Sequence, residues 1–226
     1  MSSVSRRFKK QVLAALAAGM ILLVPSAQAM VTTGEENGDN YTMVYPLVYV
    51  DDAAAQEAIN ANIGAYLDRF RDAMENGVEH PGTVSGRLYY ESGRLSTETK
   101  YEDDNAVSIT ITDYRSTGGA HGNYVVHAMT YNKHTGEKMA LVRYLRIRPS
   151  ELNAELYEHL FNSQGQPMDY KGKENPLKQV PADYFLLPDG GIAIQFQPYQ
   201  MGSYADGATT LHLDADLVAY YNEKNR

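Results

Sequence analysis

Ile59, Ile63, Tyr66, Leu67, Phe70 and Met74 recur at helical spacing from Ala53 to Asn76. A long helix with one apolar stripe must lay that stripe on a sheet or another helix. Asp51 or Asp52 can cap its start, and Asn76–Gly77 stops it. Further on the period changes to two. Val107, Ile109 and Ile111 alternate with Ser108, Thr110 and Thr112, which predicts a sheet with one wet face. "GRLYYE" and "RLSTETKYE", joined through Ser92–Gly93, complete an antiparallel meander with "AVSITITDY". A helix followed by a meander is an α+β unit.

The flanks extend this pattern. Residues 30–40 are polar and glycine-rich and read as a flexible lead. "YTMVYPLVYV" is a strand whose Pro46 suggests an edge or a bulge. "YVVHAMTY" and "EKMALVRYL" read as a hairpin about "NKHTG". Residues 149–161 form a helix with Pro149 in its first turn and Leu152, Leu156 and Leu160 on one face. "YFLLPDGGIAIQF" is a hairpin turning at Asp189-Gly190-Gly191, and "ATTLHL" and "DADLVAYYN" give a last strand and a short helix. The expected fold is α+β: antiparallel sheets, one long N-terminal helix and shorter C-terminal helices, in two closely packed subdomains over 41–134 and 135–226.

Residues 1–29 read as a secretory signal peptide. Arg6, Arg7, Lys9 and Lys10 precede "VLAALAAGMILLV", and "SAQA" ends it with small residues before cleavage after Ala29. The expected location is the periplasm or the cell exterior, with no membrane anchor after cleavage. Cleavage removes four basic residues and no acidic one, moving the formal charge from −8 to −12. That acidity argues against nucleic acid and favours a basic partner. No cysteine is present, so the core is held by burial alone.

"STGGAHGNYVV" (116–126) concentrates the functional question. Gly118, Gly119 and Gly122 around His121 suit a structural turn that packs one sheet against its neighbours. The catalytic alternative makes His121 an acid/base with Asp113 or Asp206 as helper, but no nucleophile elbow surrounds it. A metal site is the weakest reading. The six histidines fall into no ligand motif, although His121 and His127 could meet across a bent turn. No cofactor is expected. A second stretch, "QPYQMGSYADGATT", holds Tyr199, Met201 and Tyr204 in a loop punctuated by Pro198, Gly202 and Gly207. Tyrosines in such a loop either contact a protein partner or fold back over a sheet edge.

"STGGAHGNY", the "TGEK" hairpin and "DYFLLPDGGIAIQFQPYQMGSYADG" together resemble the extracellular region of RsiV-type anti-sigma factors and a related domain of unknown function found with peptidoglycan deacetylases. The "AAAQEAINANI" helix entry resembles the domain preceding it in those proteins. The resemblance implies binding rather than catalysis, with lysozyme as the family's ligand. It places Tyr199, Met201, Gly202, Tyr204 and Asp206 nearest a partner. Two features depart from it: a cleavable signal replaces the membrane anchor, and "ALVRYLRIRP" stands where relatives carry an acidic-Leu-Phe sequence. The expected function is a non-catalytic envelope protein recognising lysozyme or another cell-wall-associated protein. The alternative is an enzyme or accessory factor acting on peptidoglycan through His121.

Overall fold

The computed structural model describes residues 30–172 and 176–226; the signal peptide assigned to 1–29 lies outside them. The first sheet has the order β1-β2-β5-β6-β7, built from β1 (Met30–Asn37), β2 (Tyr41–Tyr49), β5 (Ser92–Glu102), β6 (Ala106–Ser116) and β7 (Asn123–Asn132). Helix α1 (Ala53–Asn76) connects β2 to β5, which run parallel; the other pairs are antiparallel. β3 (Val78–Glu79) and β4 (Arg87–Leu88) form a small separate ribbon. Asp52 caps α1 through Ala55 N–H, and Ile59, Ile63, Leu67, Phe70 and Met74 bury the stripe. They meet Val107, Ile109 and Ile111 of β6 in one core.

The second sheet has the order β8-β11-β10-β9, with β8 (Leu160–Phe161), β9 (Tyr184–Leu186), β10 (Ile192–Gln195) and β11 (Thr210–Leu213). Helices α2 (Pro149–His159) and α3 (Ala215–Lys224) cover its outer face, where Leu152, Leu156, Ile192, Ile194, Leu211 and Leu213 form a second core.

The two sheets meet on the side of β6 expected to be wet. Ser108 and Thr130 are fully buried there, and their hydroxyls lie 2.8 Å apart. Ser108 Oγ also accepts Leu186 N–H of β9 at 3.1 Å. Alternation therefore marks a polar docking strip, satisfied by a sheet edge in place of water. Ala128, Phe185 and Ala193 fill the remainder of this seam.

Four expectations on local structure are corrected. The lead at 30–40 is largely a strand: β1 pairs with β2 from Met30↔Tyr49 to Asn37↔Thr42, and Arg71 of α1 grips Glu36 with two bonds of 2.7 Å. Ser92–Gly93 opens β5 instead of turning. A Cβ on Gly93 would sit 2.6 Å from Met74 Sδ, so glycine lets the strand pass beneath α1. Residues 137–145 are no return strand. Lys138 makes one bridge to Tyr131, and the chain then enters a 3₁₀ turn at Leu141–Arg143. Side chains of α3 and its cap serve this segment's backbone: Asn222 bonds Tyr144 C=O and Arg146 N–H, and Asn225 bonds Arg146 C=O. Finally, α2 ends at His159, and Leu160 is buried from within β8. Pro46 lies in the part of β2 that faces β1 alone, where Asn60 of α1 bonds both backbone groups of nearby Val48.

Candidate functional site

The glycine–histidine turn joins β6 to β7, and a cross-strand pair, Tyr114↔Tyr124, stands at its base. Both rings lie on the face turned toward the second sheet, where alternation puts even-numbered residues. Tyr114 Oη accepts Gly122 N–H at 3.2 Å, and Tyr124 Oη accepts Ala208 N–H at 2.9 Å. The second contact draws the tyrosine loop onto the turn.

The two stretches, some eighty positions apart in sequence, thus form one surface. Tyr204 Oη donates to the Gly122 carbonyl at 2.9 Å, and its ring stacks on His121 at 4.4 Å and 26°. Tyr199 lies 5.5 Å from the same ring, and Tyr124 meets it edge-on at 6.0 Å. His121 Nδ1 is 3.0 Å from the Gly122 carbonyl. A carbonyl only accepts, so Nδ1 carries a proton toward it. Burial, then the neighbouring phenols of Tyr124, Tyr114 and Tyr199, raise the Tyr204 pKa and keep its proton in place.

Gly122 is the tightest point. A Cβ there would lie 2.5 Å from the Tyr114 ring and 2.6 Å from the Arg115 carbonyl. Gly118 adopts a φ of 83°, whereas a Cβ on Gly119 would meet only the His121 carbonyl, at an ordinary 3.9 Å.

Gln197 fixes the start of the tyrosine loop. Its side-chain amide bonds both Val126 N–H (2.8 Å) and Val126 C=O (2.7 Å), closing the outer edge of β7 as a strand neighbour would. Gln200 N–H then bonds the Gln197 carbonyl at 3.0 Å, a turn with Pro198 second and Tyr199 third. Tyr199 has a φ of 67°, alone among the described non-glycine residues in being positive, and it is 57% exposed. Glycine normally fills the third position of such a turn. The loop holds a large ring in solvent at a conformational cost, which the Gln197 and Tyr204 anchors offset.

The other proposed residues fall elsewhere. Met201, only 5% exposed, roots the loop in the second core and, with Gly202 and Asp206, lines a concavity of about 470 Å³ beside Met168 and Tyr170. Asp206 accepts Ser203 N–H at 2.7 Å and its hydroxyl at 2.6 Å, bonds that lower its pKa and commit its carboxylate to the loop. Gly202 leaves room for that carboxylate, since a Cβ would lie 2.8 Å from it. Asp113 cannot help His121. It sits on the opposite, odd-numbered face of β6, 8% exposed, in a bidentate pair with Arg115 (2.8 and 2.5 Å) under α1. His127 shares that face, packed at 4.7 Å on Tyr66, with burial foremost in lowering its pKa, so the two histidines do not meet. Among the described residues no group of three or more His, Asp or Glu is placed to hold a metal ion. The residues missed in the sequence are the supports Tyr114, Tyr124 and Gln197. The even parity of the first two about the turn was the available signal.

No curated protein matches the chain. Several solved structures share its fold, among them two of the DUF3298 family. A DUF3298-family protein from Bacteroides fragilis superposes with a TM-score of 0.55 at 13% identity, over 87% of this chain and 93% of that one. A DUF3298-family protein from Pseudomonas aeruginosa superposes with a TM-score of 0.50 at 15% identity, over 86% and 93%. Residues 34–124 match the family model described as deacetylase PdaC, and residues 142–216 match that of a protein of unknown function, DUF3298. The chain is thus an α+β protein with the fold of these structures, in which one region resembles the PdaC model and another the DUF3298 model, each over less than half of the chain.

Proposed function

We propose that the protein is a non-catalytic binding component of the cell envelope, exported through its signal peptide, with His121, Tyr199 and Tyr204 as its contact surface. The carrying observation is Tyr199: a bulky ring kept in solvent at positive φ beside the His121–Tyr204 stack. A rigid aromatic group presented in advance loses little entropy on binding. The acidic chain favours a basic partner of the lysozyme type, whose approach its field would steer. Catalysis through His121 has less support, because Asp113 is paired with Arg115 on the opposite face of β6 and Asp206 holds Ser203 through Oδ2.

Calorimetry of the mature protein with a basic lysozyme tests this reading. Micromolar or tighter binding, lost in a folded Tyr199→Ala/Tyr204→Ala variant, is the expected result. Absence of heat at both low and moderate salt would rule lysozyme out. Peptidoglycan fragments, the second partner to be tried, should leave sugar and peptide bonds intact; turnover that disappears in His121→Ala would establish the enzyme reading instead.

A further inference from the structure

The described residues hold a concavity that shares no residue with the tyrosine patch. It is a groove of about 800 Å³ between segments 138–148 and 180–182, within the range of ligand sites. Leu141, Leu145, Ile147 and Val180 give it an apolar lining, and Val142 beside them is 64% exposed. Lys138, Arg146 and Arg148 are its charged members, all exposed, and no carboxylate lines it. Among the described residues none of these three cations is ion-paired, in a chain whose formal charge is −8. The groove is therefore a local reversal of the protein's charge.

Asn225 closes the groove wall, its Nδ2 holding the Arg146 carbonyl and Glu151.

We propose that this groove binds an extended acidic peptide segment of a partner protein, with apolar side chains alternating with carboxylates. The carboxylates meet Lys138, Arg146 and Arg148, and the apolar side chains cover Leu141, Leu145 and Ile147. Three separate cations along one groove ask for several carboxylates, which a peptide carries and a lipid with a single anionic head does not, and this favours peptide over lipid.

The probe is a fluorescein-labelled hexapeptide of alternating glutamate and leucine, followed by anisotropy with the mature protein. Binding should saturate, weaken with salt, and fall about tenfold in Arg146→Glu/Arg148→Glu, as loss and reversal of complementary charge requires. Val142→Asp should weaken it as well, and the lysine–leucine counterpart should not bind. Both variants alter exposed side chains and should melt like wild type; Lys138→Glu replaces the double variant if it does not. The proposal is overturned by no binding, by equal binding to the variants, or by capture on phosphatidylglycerol vesicles without peptide binding.

Discussion

Tyr199 shows how a single backbone angle separates presentation from packing. At a φ of 67° a tyrosine is strained, while asparagine and glycine are at ease. Tyr199→Asn relieves that strain and gives up the ring's contact with Tyr204, so it should change stability by less than about 1 kcal/mol by chemical denaturation. Tyr204→Ala should lose about 1–3 kcal/mol, because it removes the ring stack and the bond to Gly122. Equal losses at both sites would mean that Tyr199 is a packing residue. Positive φ at a tyrosine cannot be read from residue type, and so the sequence left its role undecided between contact and cover. Asp113 was more legible. Its parity with Val107, Ile109 and Ile111 already put it beneath the helix, away from His121.

At the scale of elements, side chains complete edges that the backbone leaves open. Gln197→Ala removes two bonds to Val126 and should cost about 1–3 kcal/mol, with faster amide exchange at Val126 as the local signature. Glu151 does similar work where α2 meets α3. Burial opposes its ionisation, but Arg148 N–H, Lys224 and Asn225 outweigh that and hold its pKa near 2. The folded value lies below the unfolded value of about 4.3, so its stabilisation is complete above about 4.3 and disappears as pH falls toward 2. Glu151→Gln should be less stable than wild type at pH 7, and the gap should close in acid. A gap independent of pH would show the carboxylate charge to be irrelevant. Helix α1 and the β9–β10 hairpin were legible because each carries a long periodic stripe or a strong turn signal. β1 was not, because an edge strand that pairs mainly through backbone needs no apolar alternation. Residues 137–145 alternate like a strand, yet Leu141 and Leu145 enter the second core from a 3₁₀ turn and its exit.

For the whole molecule, the buried polar strip between the sheets decides cooperativity. Ser108→Ala would leave Leu186 N–H without a partner and should cost about 1–3 kcal/mol. Wild type should unfold in urea in one transition, followed alike by circular dichroism and tyrosine fluorescence. Two separated transitions would show that the sheets unfold independently. The same seam brings the glycine–histidine turn to the tyrosine loop, a proximity that sequence could not reveal because it depends on how β9 docks on β6. The central claim is that these distant stretches act as one contact surface. Amide hydrogen exchange of the mature protein, alone and saturated with a basic lysozyme, tests it most directly. The account predicts joint protection of residues 116–124 and 198–207; protection of neither, or of one without the other, would contradict it.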